Sequence, residues 1–214
     1  MAFSVYQRVL GSRFTELAPE LRSYFGEVDV HAVGVGSGVF DVAGSHLRIA
    51  RPVLAYLGWR RVLFAEFGHD IPFDIVNTPG ADGSLSAVRT LHFPTHDRPL
   101  EDTMRVIDGR LHDFLGRRRG LEARFTLTVT DGRLAMRSDR LWLHMGVVRL
   151  RIPTLATVSI AESWGDGRQH VDVRLVSPLL GQWFRYAGNF TYDHRSTGRP
   201  GGTTSHHPGQ VPPE

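Results

Sequence analysis

The chain of 214 residues is 41% hydrophobic, 22% charged and 10% aromatic, a composition typical of a globular protein and not of a fibrous or disordered one. A chain of this length buries about 70% of its unfolded surface, so its core needs neither disulfides nor a structural metal. The sequence has no cysteine, which excludes disulfides, thiolate metal sites, iron–sulfur clusters and cysteine nucleophiles.

All 25 basic residues are arginine, against 22 acidic residues, which gives a formal net charge of +3. The absence of lysine excludes Schiff-base chemistry and a lysine general base. Arginines alternate with acidic residues along almost the whole chain, so we predict a solvated charged surface and no nucleic-acid partner. The densest basic run, Arg117 to Arg119, lies between two glycines and predicts a turn.

Neither a signal peptide nor a membrane-spanning segment is predicted. Arg8 and Gly11 interrupt the N-terminal sequence before an apolar core of signal-peptide length can form. No stretch approaches the roughly 18 consecutive apolar residues that a membrane-spanning helix needs. We therefore expect a cytoplasmic protein with no membrane partner.

Three helical segments are predicted in the first part of the chain. Ser4 is a suitable N-cap for a short helix that ends before Gly11. A second segment, over residues 14–24, has apolar residues at three- and four-residue spacings. A third covers residues 47–57, where Pro52 must lie near the start of the helix or kink it.

After residue 26 the apolar pattern changes to a period of two, which predicts strands. The first, over residues 26–42, carries Gly34, Gly36 and Gly38. It indicates a bent or bulged strand, because the spacing and the lysine of a phosphate-binding loop are missing. Turn signals such as Asp108-Gly109 then separate alternating segments into hairpins, giving about nine to eleven strands in total. The other predicted strand segments are 71–75, 85–91, 103–107, 111–115, 125–129, 134–136, 141–152, 158–160, 171–175 and 183–192.

Helices at one end of the chain followed by hairpins exclude repeated strand–helix–strand units and a parallel nucleotide-binding sheet. We predict an α+β fold that is mainly antiparallel β, with a curved many-stranded sheet or barrel and the N-terminal helices packed on one end. Residues 1–192 form a single domain in this prediction. Residues 193–214, rich in glycine and proline, are predicted to be a disordered tail.

Several catalytic motifs are missing from the sequence. It has no Gly-x-Ser-x-Gly elbow and no His-Glu-x-x-His helix. His92 and His96 have four-residue spacing, but Pro94 excludes a helix between them. In an extended chain, residues four apart lie about 13 Å from each other, too far to share one ion. We therefore predict no metal and no cofactor.

The clearest candidate for chemistry is Glu162, which shares its predicted strand face with the apolar residues 158, 160 and 164 and is expected to point inward. Desolvation would raise the pKa of this carboxyl and suit it to proton transfer. Arg89 is the expected countercharge, and Tyr186 a hydrogen-bond donor on another inward face. The alternative is that Glu162 only forms a structural ion pair or turns into solvent at the end of its strand.

Aromatic residues and histidines on the predicted strands are candidates for lining a pocket. We predict Trp142, His144, His92, Phe184 and Trp164 as ligand-binding residues. The alternative is that aromatics at two-residue spacing only pack against each other.

Three stretches resemble the bacterial domain-of-unknown-function family 4166: Tyr6 to Pro19, Glu162 to Val173, and Pro178 to Phe190. The resemblance extends over residues 5–190 and is most specific at its two ends. Members of this family often follow saccharopine-dehydrogenase-like domains that bind nucleotides. The resemblance therefore implies work beside an oxidoreductase. A dehydrogenase-like partner would act in trans or be absent altogether, and a stand-alone chain could equally have chemistry of its own.

Three functions are left open by the sequence. The first is binding of a hydrophobic small molecule, such as a lipid, terpenoid or polyketide, in an apolar pocket of the curved sheet. The second is a cofactor-independent isomerase or cyclase in which Glu162 is the acid or base, Arg89 orients it and Tyr186 donates a hydrogen bond. The third is an interaction module that docks on a dehydrogenase-like protein through an exposed apolar patch.

Overall fold

Three short helices and eleven strands make up the part of the chain that the computed structural model describes, residues 3–29, 31–153 and 156–196. The helices are α1 (Val5–Leu10), α2 (Pro19–Phe25) and α3 (Arg51–Trp59), with 3-10 turns at Gly11–Glu16 and Arg48–Ala50. The strands are β1 (Ala32–Gly44), β2 (Phe67–Pro79), β3 (Leu85–Phe93), β4 (His96–Ile107), β5 (Arg110–Leu115), β6 (Leu121–Thr130), β7 (Arg133–Met145), β8 (Val148–Ile152), β9 (Thr157–Gly165), β10 (Arg168–Ser177) and β11 (Gly181–Ser196).

Ten of these strands close into an antiparallel barrel, in the order β6-β5-β4-β3-β2-β1-β11-β10-β9-β7, with a final β7–β6 pairing. The remaining strand, β8, pairs with the last part of β7, beyond the part of β7 that pairs with β9. Closure removes the exposed sheet edges that a sheet of this size would otherwise present. The predicted mainly antiparallel, curved fold is confirmed.

The N-terminal helices cover one end of the barrel, as predicted. Ser4 caps α1 through a reciprocal pair of hydrogen bonds with Gln7. The Ser4 hydroxyl also donates to the carbonyl of Phe25 at 2.6 Å, which ties the start of α1 to the end of α2. Between the two helices, the Ala18 amide donates to the carbonyl of Gly132 in the β6–β7 turn at 3.0 Å. We call this the closed end.

Helix α3 joins β1 to β2 and lies at the opposite end of the barrel. Pro52 occupies the first turn of this helix, where its missing amide hydrogen disturbs no helical bond, as the sequence predicted. The buried side chain of Leu54 faces the barrel, while Val53 and Trp59 are exposed. We call this the open end, because residues of α3 border the mouth of the cavity described below.

The glycines of β1 belong to a strand, which agrees with the sequence interpretation. A β-bulge lies between Phe40 and Val42. At Gly34, a Cβ atom would fall 1.4 Å from the hydroxyl oxygen of Tyr192, so only glycine leaves room for the tyrosine that crosses β1 from β11. The Tyr192 hydroxyl in turn accepts a hydrogen bond from Asn77 at 3.1 Å.

Some predicted boundaries differ from the observed ones. β1 begins at Ala32 and not at residue 26, and β11 continues through Ser196, beyond the predicted limit at residue 192. β4 begins at His96, earlier than predicted, because residues 94–95 form a tight turn after β3. Val30 and residues 197–214, which include most of the predicted tail, lie outside the described residues.

Two clusters of buried apolar side chains fill the barrel. The cluster toward the open end includes Phe40, Phe64 and Phe184. The cluster toward the closed end joins α1 and α2 to strands β4 to β7 and includes Phe25 and Leu134. The two clusters do not fill the interior completely, and the space between them forms the candidate site.

Candidate functional site

The interior of the barrel contains a cavity of about 410 Å³, within the size range of small-molecule sites in proteins. Most of its wall is apolar and comes from inward-facing residues of the barrel strands, such as Phe73, Val173 and Phe190. Residues at the open end, among them Tyr56 of α3 and Trp183 of β11, border the same space. The cavity therefore runs from the middle of the barrel toward α3.

Polar side chains from five different strands interrupt this apolar wall: Arg89 of β3, Asp102 of β4, Asp113 of β5, Glu162 of β9 and Tyr186 of β11. Each lines the cavity from the inward face of its strand, a face that also carries buried apolar residues such as Leu91, Leu100 and Phe184. The closed barrel brings these five side chains, distant in sequence, to a single cavity.

Arg89 and Asp102 form an ion pair across the β3–β4 hairpin, in which the guanidinium donates to Oδ2 of the carboxylate. Burial alone would lower the pKa of Arg89, but Asp102, Tyr186 and Tyr24 together outweigh burial and raise that pKa. Arg89 therefore keeps its positive charge, and it lies against the cavity wall beside the carboxyl of Asp102.

Asp113 lies on the neighbouring strand, close enough to Asp102 for the two carboxyls to interact. Burial, and then the negative charge of Asp102, raise the pKa of Asp113 well above its usual range, which favours the protonated acid. The Oδ1 atoms of both aspartates are buried and accept no hydrogen bond from any described residue. Buried polar atoms without a partner are uncommon in folded proteins.

Glu162 is buried and accepts a hydrogen bond from the side-chain amide of Gln169, on the adjacent strand β10. Burial raises the pKa of this carboxyl to about 7, against the lowering effects of Gln169 and of the charge on Arg89. The predicted inward carboxyl is thus present. Its hydrogen-bonding partner, however, is Gln169, whereas the expected countercharge Arg89 pairs with Asp102.

Tyr186 projects from β11 and packs edge-on against Phe40, with the two ring centroids 5.1 Å apart. Burial raises the pKa of its phenol to about 12, so the hydroxyl keeps its proton at neutral pH. This hydroxyl makes no hydrogen bond to the described part of the chain, and it remains able to donate one into the cavity.

The polar wall combines groups with different proton affinities. Asp102 accepts a hydrogen bond from Arg89, whereas the raised pKa values of Asp113 and Tyr186 favour their neutral, donating forms. Glu162 changes its protonation state near pH 7. Such a set can hydrogen-bond the polar group of an otherwise apolar ligand, and it can also supply or accept a proton.

Two of the predicted ligand-binding residues, Trp142 and His144, face away from the cavity. They lie on the outer side of β7 together with the fully buried carboxylate of Glu122. Glu122 contacts His144 at 2.5 Å, His112 at 2.6 Å and Arg149 at 2.5 Å. The guanidinium of Arg149 also stacks 4.1 Å above the Trp142 ring. This cluster fastens β8 to the outside of the barrel, and neither Trp142 nor His144 lines the internal cavity.

The other three predicted ligand-binding residues do not line the cavity either. His92 lies on the surface between Asp74 and Asp97, at 3.0 and 2.9 Å. Trp164 is 39% exposed, because β9 leaves the barrel wall at its turn into β10. Phe184 does point inward, but it is fully buried against Phe64 in the apolar core, with ring centroids 4.9 Å apart.

Sequence reasoning missed Asp102 and Asp113. The signal was available, since Asp102 lies between the apolar residues Leu100 and Met104, two positions away on each side. Asp113 has the same relation to its neighbours on β5. The alternation rule that selected Glu162 would have selected both, but the predicted strand began at residue 103 and left Asp102 outside it.

Other parts of the described chain offer weaker candidates. A broader depression of about 680 Å³ lies on the outer wall of β6, β7, β9 and β10, but its charged residues, such as Asp139 and Asp172, are already paired with arginines. Within residues 3–29, 31–153 and 156–196, no group of three or more His, Asp or Glu side chains could hold a metal ion. Among the helices of those residues, none is long and apolar enough to cross a membrane.

Comparison with known proteins gives the family. The model of a domain of unknown function, DUF4166, matches residues 17–190. The chain belongs to this family. This DUF4166 chain is also 24% identical over 206 residues to the uncharacterized protein YndH of Bacillus subtilis (strain 168), a match that covers 91% of the chain and 99% of the relative. No solved structure matches it. Neither description states an activity or a partner, so the dehydrogenase-like partner stays a prediction.

Proposed function

We propose that this DUF4166 protein binds a hydrophobic small molecule inside its barrel, and that a hydrogen-bonding group of the ligand reaches the carboxyls of Asp102 and Asp113. A lipid, terpenoid or polyketide-like molecule has the required chemistry, since each combines a large apolar body with few polar groups. The apolar wall supplies most of the binding free energy, and the polar wall fixes the orientation of the ligand.

The proposal rests on the positions of buried polar atoms that have no hydrogen-bond partner. Of the five buried side-chain nitrogen or oxygen atoms without a hydrogen-bond partner in the described residues, three belong to residues that line the cavity. They are Oδ1 of Asp102, Oδ1 of Asp113 and Nε1 of Trp183. Each such atom costs about 1–3 kcal/mol if it stays unpaired, and a ligand that pairs with it removes that penalty.

Fluorescence of N-phenyl-1-naphthylamine, an apolar probe with one N–H donor, tests the binding directly. We expect saturable enhancement with the wild-type protein, and competition by members of a lipid, terpenoid and polyketide panel. Native mass spectrometry and thermal shift on the same panel identify which competitors form a complex. The absence of saturable probe binding and of any retained panel member would refute the proposal.

A pair of matched variants separates the cavity from the outer wall. Val171 lines the cavity, whereas Val176, on the same strand, is 40% exposed on the other face. Val171→Trp fills part of the cavity and should abolish probe binding while the protein still unfolds cooperatively. Val176→Trp should bind the probe as the wild type does. Equal binding by the two variants would place the probe elsewhere.

The role of the carboxyls needs ligands that differ in one donor. A terpenoid alcohol and the hydrocarbon that lacks its hydroxyl have nearly the same apolar surface, but only the alcohol forms hydrogen bonds. Replacing Asp113 by leucine should weaken binding of the alcohol by about tenfold and leave binding of the hydrocarbon nearly unchanged, as expected for one hydrogen bond to a buried carboxyl. An equal effect on the two ligands would argue against direct recognition.

A second function is favoured by one observation, the pKa of about 7 for the Glu162 carboxyl in the cavity wall. A carboxyl that titrates near neutral pH is suited to general acid or base catalysis, because both of its protonation states are populated. The candidate reaction is a cofactor-independent isomerisation or cyclisation. Glu162 would transfer the proton, while Tyr186 would donate a hydrogen bond to the reacting oxygen and Arg89 would supply positive charge.

The enzyme hypothesis is tested by Glu162→Gln on any panel member that the wild type converts. Amide and carboxyl have nearly the same size, so affinity should change little while turnover is lost. The wild-type rate should also follow a titration near pH 7. Full turnover by Glu162→Gln would remove Glu162 from the mechanism, and a panel that is bound but never converted favours simple binding.

A further inference from the structure

The open end of the barrel differs in surface chemistry from the closed end. Four connections lie at the open end: the α3 connection (45–66) and the turns at 116–120, 146–147 and 178–180. The strand pairing places them there, because the strand ends that they join lie level with Gly44, the last residue of β1. These connections come from four separate parts of the sequence. They surround the mouth of the cavity.

Exposed apolar side chains concentrate at the open end. In the described residues, ten of the sixteen exposed large hydrophobic side chains fall in three segments at this end, 49–59, 145–150 and 179–180. Trp59 is 66% exposed, and the turn residues Val147 and Leu179 are almost fully exposed. Such a concentration on one end of a protein marks a surface that contacts something apolar.

Arginines accompany these apolar residues. Five exposed arginines of the same end form no ion pair with any described carboxylate: Arg48, Arg51, Arg117, Arg118 and Arg151. The acidic residues that flank the connections are already neutralised, since Glu66, Glu101 and Glu122 each contact an arginine. The open end is therefore both apolar and positively charged.

At the closed end the charges are mixed, because Arg110, Arg133 and Arg168 directly follow three of the hairpin turns. Each of its four hairpin turns carries an aspartate: Asp82, Asp108, Asp131 and Asp166. Three of these, at 108, 131 and 166, adopt positive φ next to a glycine, as tight hairpin turns require. Unpaired positive charge is therefore concentrated at the open end, and this gives the molecule a direction in which it would approach a negatively charged surface.

We propose that the open end docks on the surface of an anionic lipid bilayer, with the apolar tips inserted at the headgroup level and the arginines on lipid phosphates. Peripheral attachment of this kind needs both apolar burial and electrostatic attraction, and the two are combined at this end. The sequence predicted no membrane partner because no apolar stretch is long enough, but a surface built from three loops needs no such stretch.

Charge and geometry favour a bilayer over a nucleic acid or a second copy of this chain. A nucleic acid would pair with the arginines but would leave the aliphatic turn residues Val147 and Leu179 against a charged backbone. A second copy would bring two arginine-rich ends together. A bilayer satisfies both kinds of side chain, and it also places the mouth of the cavity where an apolar ligand can enter without crossing water.

Cosedimentation of the full chain with vesicles tests the docking. We expect binding to phosphatidylcholine vesicles that contain about 30 mol% phosphatidylglycerol, and at least tenfold weaker binding to pure phosphatidylcholine vesicles. Added salt of about 0.5 M should weaken binding to the anionic vesicles, because it screens the arginines. No sedimentation with anionic vesicles would overturn the proposal.

The double variant V147S/L179S removes two exposed turn side chains that contribute nothing to the core, and it should weaken vesicle binding by at least tenfold. The control is V76S/V88S, since these two valines are also apolar and exposed, at 41% and 40%, but lie on the barrel wall, opposite each other on β2 and β3. The control should bind vesicles as the wild type does. Equal loss in both double variants would overturn the assignment.

Docking on a bilayer can be separated from self-association and from ligand binding. A concentration-dependent dimer that V147S/L179S abolishes, together with no vesicle binding, would assign the surface to a second copy and overturn the proposal. Val171→Trp, which fills the cavity, should still bind anionic vesicles. Docking is thereby tested apart from ligand binding, and failure of either leaves the other measurable.

Discussion

Stability of this protein should fall as the pH rises from 5 to 8, in part because of Glu162. Its folded-state pKa of about 7 lies above the ordinary value of 4.5, so the folded state holds this proton more tightly than the unfolded state does. The stabilisation is fully present below pH 4.5 and is lost as the pH rises through 7. Glu162→Gln cannot titrate and removes this dependence.

The magnitude follows from the two pKa values. One unit corresponds to about 1.4 kcal/mol, so the complete loss above pH 7 is roughly 3 kcal/mol. Most of this loss of stability takes place between pH 5 and pH 8, where the expected change is about 2.5 kcal/mol. The free energy of unfolding of Glu162→Gln, relative to that of the wild type, should therefore rise by this amount from pH 5 to pH 8.

Urea unfolding followed by tryptophan fluorescence gives the free energies of unfolding at each pH. The measured quantity is the difference between wild type and Glu162→Gln at pH 8 minus the same difference at pH 5, in which the titration of other groups cancels to first order. Asp139→Asn is the control. Its carboxyl pairs with Arg124 on the surface, and its pKa is lowered, so it is ionised throughout this range and its difference should not change with pH.

A pH-independent difference between wild type and Glu162→Gln would refute the reasoning, since it would mean that the carboxyl is solvated or paired in the folded state. A change of opposite sign would mean that its folded pKa is lowered. Either result would also remove the physical basis for Glu162 as a neutral-pH acid or base.

Three further predictions concern the groups that shape the cavity and its end. Arg89→Met leaves the Asp102 carboxylate buried without its countercharge and should lower the free energy of unfolding by about 3–5 kcal/mol. Adding Asp102→Leu should recover most of this loss. A loss below about 1 kcal/mol for Arg89→Met in urea unfolding would contradict the prediction. Gly34→Ala places a Cβ on the Tyr192 hydroxyl and should destabilise the folded protein by about 1–3 kcal/mol, measured by calorimetry. Tyr192→Phe should partly rescue this variant, and no rescue would mean that backbone strain and not this contact is responsible. Ser4→Ala removes the N-cap of α1 and should lower stability by about 1 kcal/mol, measured by urea unfolding, and an unchanged midpoint would show that the capping bonds contribute nothing.

Local patterns in the sequence were sufficient for the elements and the class of fold. Ser4 predicted the start of α1 and Pro52 the first turn of α3, and the tight turns followed from signals such as Asp108-Gly109. These features depend on hydrogen bonds and dihedral angles within a few residues, which a local sequence fixes. The alternation of apolar residues similarly predicted antiparallel hairpins, and from their number a curved sheet or barrel.

The inward direction of Glu162 was also readable from the sequence, because side chains alternate along a strand. The same rule did not choose correctly among the aromatics. Trp142 and His144 alternate as regularly as core residues do, yet they lie outside the barrel against Glu122. Periodicity tells which residues share a face, but it does not tell which of the two faces points inward when both carry large side chains.

Pairing between distant residues was decided only by the tertiary structure. Arg89 pairs with Asp102 and not with Glu162, because β3 and β4 are hydrogen-bonded neighbours, whereas β9 lies on another part of the barrel. The cavity and the partnerless carboxyl oxygens in its wall depend in the same way on a closed barrel, in which β1 pairs with β11. The sequence by itself determined the strands and their turns, whose energetics are local. Only the closed barrel determined which side chains meet, because the pairing of β1 with β11 joins the two ends of the fold, Ala32 to Ser196 and Gly44 to Arg185, through contacts that no local pattern records.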